Sequence, residues 1–358
     1  MKIMIMAGGT GGHVFPALAV AQRLREQGHV IVWMGAPDSF ESRMIPPQGF
    51  PMEFVRVSGL RGKGVAKLLR APLLLWRAFR DAWSALRRQQ PDLVLGMGGF
   101  ASGPGGLAAW TQRIPLCIHE QNAAPGLTNR LLARIASRVL EAFPKTFKGA
   151  VTVGNPVRQG FADVPAPERR IRKDGAGRVL VVGGSQGSKS LNELMPKALA
   201  LMNVQERPQV LHQAGRTLEV AQQAYAASGV VADVRAFIDD MPTAYAEADL
   251  VVCRAGASTV AELGVAGCAA LLVPYPHAVD DHQTRNGEFL VKVGAAQLVQ
   301  ERELNPAKLA ALLSQMLADR QQLIRMAQAA RRTSTANAVQ VIVNECLACA
   351  NVARRKSS

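Results

Sequence analysis

The sequence is short of long apolar runs, of cysteine and of acidic side chains, and each shortage excludes a class of protein. No apolar run approaches the roughly 18 residues that a membrane-spanning helix needs, so we expect no spanning segment. The opening apolar run meets glycine at Gly8, which is too early for the apolar region of a signal peptide. The 5 cysteines favour reduced cytoplasmic thiols over a disulfide framework. The acidic shortage, 27 Asp and Glu against 42 Lys and Arg, leaves a net charge of +15 and predicts an anionic partner.

The chain is long and apolar enough to fold into more than one domain. It has 358 residues, of which 48% are hydrophobic and 19% are charged, a composition typical of folded globular proteins. Because single cores rarely grow beyond about 250–300 residues, we expect two domains.

Short apolar runs alternate with longer amphipathic stretches along the whole chain. This alternation predicts an α/β fold with parallel sheets. The predicted strands are 2–7, 30–34, 52–55, 93–96, 116–120, 151–153, 178–182, 209–213, 250–253 and 270–273. The predicted helices are 15–27, 72–88, 126–136, 191–202, 217–227 and 259–266. The charged, proline-containing stretch 163–177 has no periodicity and is predicted to be the linker region.

The two halves of the sequence repeat one pattern. In the first half an apolar strand enters the turn GGTGG at residues 8–12, and in the second half an apolar strand enters GGSQG at residues 183–187. A helix is predicted after each turn. The repeat therefore predicts two Rossmann-like domains that face one another across a cleft.

Glycine-rich turns at strand ends suit phosphate, because bare backbone N–H groups and the positive end of a helix dipole both favour an anion. A third such turn occupies residues 96–103. The first turn is not a dinucleotide fingerprint, since Val14 stands where the third glycine is required, and no P-loop lysine follows it. The glycines could simply permit tight turns, but three of them at strand ends favour a ligand site.

Polar residues near these turns are candidates for chemistry. His13 follows the first turn, where an imidazole could take a proton from a hydroxyl, although a lone histidine can equally be structural. The run HEQN at residues 119–122 ends another strand. It either lines the site or forms a hydrogen-bonded turn, and the sequence favours neither.

The second half has its own candidates. Residues 254–261 run from a strand into a helix with small and hydroxyl side chains, which suits a diphosphate. Glu262, in the first turns of that helix, could accept hydrogen bonds from ribose hydroxyls or could simply be a favourable charge near a helix N-terminus. The loop 277–286, HAVDDHQTRN, has side chains suited to sugar hydroxyls.

Residues 56–88 are both basic and aromatic. They include nine Lys and Arg against one acid, Asp81, and Trp76, Phe79 and Trp83 would share a helical face. Such a helix can lie on an anionic membrane, and the alternative is a core helix with solvated arginines. The charge would also suit nucleic acid, but no recognised binding motif is present, so we expect no nucleic-acid partner.

Five motifs occur in the order that is found in one enzyme family. They are GGTGGH at 8–13, HEQN at 119–122, GNPVR at 154–158, GGSQG at 183–187 and ASTVAE at 257–262. On these motifs the chain resembles, over nearly its whole length, the MurG family. These are the N-acetylglucosaminyltransferases of peptidoglycan synthesis, which convert lipid I to lipid II. The resemblance implies the GT-B fold and no cofactor.

The resemblance also implies the organisation of the chain. Residues 1–160 would form the acceptor-binding and membrane-facing domain, against which a C-terminal helix at about 336–358 packs back. Residues 161–335 would form the UDP-sugar-binding domain. The pyrophosphate of lipid I would lie near Gly11 and Gly12 or near Gly98 and Gly99.

Contacts with the donor, UDP-N-acetylglucosamine, are implied at positions in both halves. They are Thr10, Gly11, Gly12, Asn122, Arg158, Ser185, Ile238, Ala257, Ser258, Thr259, Val260, Ala261, Glu262 and Gln283. Among them, the backbone of Ile238 would meet the uracil and Glu262 the ribose. Ser185 and residues 257–260 would meet the diphosphate, and Gln283 would meet the sugar.

The implied reaction inverts the anomeric centre: the 4-hydroxyl of N-acetylmuramic acid attacks the anomeric carbon while UDP leaves. His13 is the candidate base. No Asp-x-Asp pair occurs, so we expect no metal, and helix dipoles with Arg158 could stabilise the leaving diphosphate. We expect a peripheral enzyme on the cytoplasmic face of the plasma membrane. The alternatives are a different glycolipid acceptor, a nicotinamide-dependent oxidoreductase and a scaffold that only binds UDP-sugar.

Overall fold

The computed structural model describes residues 1–57, 71–172, 174–184, 186–335 and 337–357, without the side chains of Val279 and of residues 354–357. Contacts divide the chain into two compact units. The first unit comprises Met1–Arg158 and Asn337–Ser358, and the second comprises Gln159–Ala336. Each unit has its own parallel sheet, as the alternating pattern predicts.

The first unit is built on a seven-stranded parallel sheet. Its strands are β1 (Lys2–Met6), β2 (Val30–Gly35), β3 (Met52–Phe54), β4 (Leu93–Gly96), β5 (Leu116–Glu120), β6 (Arg138–Glu141) and β7 (Val151–Thr152). Their order is β3-β2-β1-β4-β5-β6-β7, and in register Ile3 lies between Ile31 and Leu93. Strands β1 and β4 are mainly apolar and buried, as expected where helices cover both faces of a parallel sheet.

Helices α1 to α5 and the C-terminal helix complete the first unit. They are α1 (Gly11–Glu26), α2 (Phe40–Met44), α3 (Ala71–Gln89), α4 (Ser102–Thr111), α5 (Leu127–Leu132) and the C-terminal helix Ala338–Ser357. Along α1 the buried Val14, Ala17 and Leu24 follow helical spacing and face the sheet. The C-terminal helix adds Ile342 and Cys346 to the same core. No helix among the described residues is both long and apolar enough to cross a membrane.

The second unit repeats this architecture with six parallel strands. They are β8 (Arg178–Val182), β9 (Gln209–Gln213), β10 (Asp233–Arg235), β11 (Leu250–Cys253), β12 (Ala270–Leu272) and β13 (Ala296–Leu298), in the order β10-β9-β8-β11-β12-β13. Its helices are α6 (Pro167–Arg170), α7 (Lys189–Leu201), α8 (Leu218–Ala227), α9 (Met241–Glu247), α10 (Ala257–Ala266), α11 (His282–Lys292), α12 (Pro306–Ala318) and α13 (Arg320–Arg332). Single 3-10 turns occupy Pro46–Gln48, Phe161–Asp163, Gly215–Thr217, Val279–Asp281 and Glu301–Glu303.

The stretch 163–177 is part of the second unit and not the predicted linker. It contains α6, and Ile171 is buried in the core of that unit. The Arg170 guanidinium donates to the backbone carbonyls of Tyr245 and Ala248. The stretch has no periodicity because it is anchored by single side chains and not by an amphipathic face.

Three strands, several helices and one helix start differ from the predictions. The helices that were not predicted include α2, α4, α6, α9, α12 and α13. Strands β6, β10 and β13 were not predicted, since each has only three or four residues and β6 and β10 carry charged side chains. Helix α1 begins at Gly11, four positions before the predicted start at Phe15. The glycines that resemble a loop therefore form the first turn of the helix, which places His13 inside it.

Candidate active site

The site residues of the first unit lie where its strand order changes direction. That change falls between β1 and β4, and ligands of open parallel sheets bind beyond the strand ends at such a point. The residues after β1 are Ala7–Thr10, and those after β4 are Met97–Gly99. The two segments pack against each other at the carboxyl edge of the sheet.

This packing requires glycine at two positions. Gly98 has φ +92°, and a Cβ there would lie 2.6 Å from Nδ1 of His13. Gly99 has φ +93°, and a Cβ there would lie 2.6 Å from the carbonyl oxygen of Gly8. Both conformations are ones that other residues rarely adopt. The third glycine turn of the sequence is thus explained by close approach to His13 and to the first turn.

A buried carboxylate that was not predicted from the sequence holds the first turn. Glu41, only 2% exposed, accepts hydrogen bonds from the backbone N–H of Gly9 at 2.9 Å and of Ala36 at 3.0 Å. These bonds tie the turn after β1 to the end of β2. Thr10 and Gly12 stay exposed at the turn, in a position to meet a ligand.

His13 lies in the first turn of α1, where its backbone N–H donates to the carbonyl of Thr10 at 3.1 Å. Its ring is half-buried, and Nδ1 is 3.0 Å from Oε1 of Gln121. No hydrogen bond from the described part of the chain reaches Nε2. The second ring nitrogen can therefore meet a substrate hydroxyl.

The run HEQN divides into structural residues and one that faces His13. Glu120 accepts hydrogen bonds from the backbone N–H of Asn122 and from the side chain of Asn129, so it organises the turn after β5. His119 is fully buried, and its Nε2–H donates to the carbonyl of Gly154 at 2.9 Å. Burial, with a smaller contribution from the nearby His13, lowers the pKa of His119 to about 4. Gln121, by contrast, reaches His13.

In the second unit the strand order changes between β8 and β11, and the predicted diphosphate loop follows β11. Gly256 is the N-cap of α10 and has no side chain to satisfy the first N–H groups, and the first turn contains no acidic residue. The hydroxyl of Ser258 is buried and has no partner among the described residues. This helix N-terminus is suited to an anion.

Glu262 is held on α10 by a buried tyrosine. It is 8% exposed, and the hydroxyl of Tyr245 donates to Oε2 at 3.3 Å. Burial first, and the Glu262 charge second, raise the pKa of Tyr245 well above its ordinary value, so the hydroxyl remains a donor. Tyr245 was not predicted from the sequence, since it lies 17 positions before its partner.

Other predicted donor positions are distributed over the loops of the second unit. The side-chain oxygen of Gln283, at the start of α11, accepts from the backbone N–H of Tyr275 at 2.9 Å. The backbone N–H of Ile238 donates to Oε1 of Gln213 at 3.2 Å, which leaves the carbonyl as the backbone group for a base. Ser185 lies outside the described residues.

The structure thus brings some of the predicted residues together within each unit. Thr10, Gly11, Gly12 and His13 share one turn, and the loop that contains Asn122 also carries Gln121 to His13. Residues 257–262 share the first half of α10. Arg158, the last residue of the first unit's main segment, is exposed. Among the described residues no group of three or more His, Cys, Asp and Glu is placed to hold a metal ion.

The predicted aromatic face is present on α3, whereas residues 58–70 of the basic segment lie outside the described part of the chain. Ala78, Ala82 and Leu86 turn toward the core. Trp76 is 56% exposed, and a cleft of about 170 Å³ is lined by Trp76, Phe79, Arg80 and Trp83. We call these four residues the α3 surface. The Arg80 guanidinium lies 5.3 Å from the centre of the Trp76 ring.

Comparison with known proteins matches both units. Residues 3–141 match the glycosyltransferase family 28 N-terminal domain, and residues 178–342 match the family 28 C-terminal domain. A protein of Marinobacter nauticus is 53% identical over 356 residues, with 98% of each chain covered. One of Bordetella pertussis is 51% identical over 357 residues, with 99% of each covered. Both are named UDP-N-acetylglucosamine--N-acetylmuramyl-(pentapeptide) pyrophosphoryl-undecaprenol N-acetylglucosamine transferase.

Solved structures agree with these matches. The crystal structure of Acinetobacter baumannii MurG is 41% identical, with a TM-score of 0.85 over 97% of this chain and 99% of that one. The glycosyltransferase VinC has a TM-score of 0.68 at 16% identity over 98% of this chain and 100% of its own, which shows the fold alone. The expectations of a GT-B fold and of the family are confirmed, and the oxidoreductase alternative is wrong. The protein is a glycosyltransferase that belongs to family 28 and, within it, to the MurG family.

Proposed function

We propose that this enzyme moves N-acetylglucosamine from UDP-N-acetylglucosamine to the 4-hydroxyl of N-acetylmuramic acid in lipid I, an undecaprenyl-pyrophosphoryl muramyl-pentapeptide, and so makes lipid II. Relatives with these substrates in their names support it, at 51–53% identity over nearly the whole chain. The observation that carries the proposal is a helix N-terminus suited to an anion at the strand-order change of each unit, α1 in the first and α10 in the second. In the described part of the chain, neither N-terminus has a capping side chain or an acidic residue in its first turn. Both substrates contain a diphosphate, so the reaction needs two such sites.

The donor binds to the second unit in this proposal. The N-terminus of α10 accepts the diphosphate, with the hydroxyl of Ser258 as an added donor. Glu262, held by Tyr245, accepts hydrogen bonds from the ribose. The carbonyl of Ile238 faces the uracil, and the amide nitrogen of Gln283 donates to the sugar, since its oxygen is bonded to Tyr275.

The acceptor meets the turn after β1. Nε2 of His13 removes the proton from the 4-hydroxyl as that oxygen forms a bond to the anomeric carbon. The bond between the anomeric carbon and the UDP oxygen breaks at the same time, and the electron pair leaves with UDP. The products are an inverted β-linkage, UDP and a proton on His13, which solvent then removes. The positive, N-terminal end of the α10 dipole and the Arg158 guanidinium stabilise the leaving diphosphate.

The lipid-linked acceptor places the enzyme at a membrane surface. The α3 surface offers two tryptophans, a phenylalanine and an arginine, a combination that binds the interface of an anionic bilayer. We propose that the enzyme is peripheral on the cytoplasmic face of the plasma membrane.

Transfer of labelled N-acetylglucosamine to a soluble lipid I analogue tests the proposal. We expect a β-1,4-linked disaccharide product and the same rate when EDTA is added. UDP-glucose as donor, and an analogue without the muramyl 4-hydroxyl as acceptor, are the controls and should give no product. Donor binding without transfer to this acceptor would contradict the proposal in favour of another glycolipid or a binding scaffold.

A further inference from the structure

The side chain of Gln121 connects His13 to the backbone of the β4 turn. Gln121 follows β5 and is only 1% exposed. Its Nε2 donates to the carbonyl oxygen of Met97 at 2.8 Å, and its Oε1 lies 3.0 Å from Nδ1 of His13. Met97 is itself fixed, because its backbone N–H donates to the carbonyl of Met6 at 2.8 Å.

These bonds determine which nitrogen of His13 carries the proton. A carbonyl oxygen only accepts, so the NH2 group of Gln121 must face Met97 and its oxygen must face His13. An amide oxygen also only accepts, so Nδ1 of His13 must be the donor. In the neutral ring the lone pair is then on Nε2, the nitrogen with no hydrogen bond from the described residues.

One neighbour fixes the position of the ring, and a second leaves no charge beside it. The ring packs against the bare Cα of Gly98, where a side chain would collide with Nδ1. His119 lies nearby as a neutral neighbour, because its pKa of about 4 leaves it uncharged near neutral pH. The hydrogen bond from His13 to Gln121 thus determines the tautomer, and the close contact with Gly98 determines the position of the ring.

We propose that Gln121 is a positioning residue that locks His13 in the tautomer with an unprotonated Nε2. The inference rests on the proposed role of His13 as the base. With the Nδ1–H form enforced, Nε2 is ready to take the acceptor proton in every complex. Without the amide, the ring divides between two tautomers, and the form with Nε2–H cannot act as a base.

Gln121→Met tests this by keeping the length of the side chain and removing both hydrogen bonds. We expect kcat to fall by between about threefold and about tenfold, as the fraction of the Nδ1–H form falls, while KM for UDP-N-acetylglucosamine stays within about twofold. The matched control is Gln89→Met, which removes a 2.7 Å hydrogen bond to Glu53 elsewhere in the first unit and should leave both constants unchanged. In a His13→Ala background, Gln121→Met should add less than about a twofold loss.

Nitrogen NMR of histidine-labelled enzyme reads the tautomer directly. At alkaline pH, where imidazoles are neutral, we expect His13 to appear as the Nδ1–H form in the wild type and as a mixture in Gln121→Met. The signal is assigned by its loss in His13→Ala. An Nε2–H form in the wild type overturns the inference, even if Gln121→Met does not fold. Full activity of His13→Ala would instead overturn the base assignment and leave the tautomer measurement standing.

Discussion

An imidazole is paired with a side-chain amide in the first unit and another in the second, and the two pairs differ at the second ring nitrogen. In the first unit Gln121 bonds Nδ1 of His13 and leaves Nε2 open. In the second unit Asn192 bonds Nε2 of His212 at 3.0 Å, and the hydroxyl of Tyr225 bonds Nδ1 at 3.1 Å. His212 is 0% exposed, whereas His13 is half-buried at an exposed turn.

The difference shows how an imidazole–amide pair can either stabilise the fold or leave a nitrogen available for chemistry. In both pairs the amide nitrogen is held by a carbonyl, Met97 in one and Ala214 in the other, so the amide oxygen must face the ring. In the buried pair both nitrogens are satisfied, and the ring can only contribute to stability. In the open pair one nitrogen remains for a substrate. We propose that position at the strand-order change, and not the pairing itself, makes the first imidazole a reactive group.

Substitution of each of the two histidines gives the largest expected difference, in kcat for His13 and in stability for His212. We expect His13→Ala to lower kcat by about 10²- to 10⁴-fold, the usual value of a general base. The free energy of unfolding should fall by no more than about 1 kcal/mol, because water at the exposed turn can replace the lost partner of Gln121. We expect His212→Asn to leave kcat unchanged and to lower the free energy of unfolding by about 2–4 kcal/mol, because Tyr225 and Asn192 lose a buried partner. Steady-state kinetics and urea titration of both variants check this. Equal effects on kcat would contradict the comparison.

The dependence of stability on pH extends the comparison, because burial disfavours the protonated form of an imidazole. Burial lowers the pKa of His212 to about 4, and the pKa of the equally buried His119 also lies at about 4. In the unfolded chain both protonate near pH 6.5, so the unfolded state binds more protons between pH 6.5 and pH 4. Stability is therefore fully present above this window and falls as pH decreases through it, by on the order of 3 kcal/mol for each residue.

The measurement is the free energy of unfolding in urea as a function of pH. His212→Asn should show a shallower decrease between pH 6.5 and pH 4 than the wild type, since the asparagine takes up no proton. His277→Asn is the matched control, because that histidine is exposed on the loop after β12. An unchanged slope in His212→Asn would show that His212 is not the group responsible.

Much of the fold could be predicted from the sequence, because alternating apolar runs and amphipathic helices define parallel sheets. The strands β1, β4, β8 and β11 matched their predicted positions to within a residue, since each is a continuous buried run. The positions of the glycine turns followed from these strands. Short edge strands such as β10 were missed because an exposed strand of three residues has no distinctive pattern.

The supporting residues of the site could not be predicted, because their partners are distant in sequence. Glu41 reaches Gly9 across 32 positions, and Gln121 reaches His13 across 108. No periodicity encodes such a contact; it exists only once the sheet order places the strand ends together. The sequence therefore indicated His13 and the run HEQN as candidates, but it did not predict that Gln121 contacts His13 or that Glu41 holds the turn.

A smaller effect, on KM, is expected at Glu262, the carboxylate that Tyr245 contacts in the second unit. Glu262→Gln should raise KM for UDP-N-acetylglucosamine by about tenfold, because a neutral amide accepts hydrogen bonds from ribose less strongly. Tyr245→Phe removes only the 3.3 Å bond that orients the carboxylate and should raise KM by about threefold. In both variants kcat should change less than KM. A loss confined to kcat would place Glu262 outside the donor site.

The smallest effect is expected at the α3 surface, which tests membrane association without touching either imidazole. Arg80→Gln removes one positive charge beside Trp76 and should weaken binding to vesicles that contain anionic lipid by about 1 kcal/mol, roughly fivefold. Transfer to a soluble acceptor should be unchanged. Arg325→Gln, on the exposed face of α13, removes the same charge from the second unit and should have no effect on vesicle binding. Equal weakening by both variants would show that net charge, and not the α3 surface, directs the enzyme to the membrane.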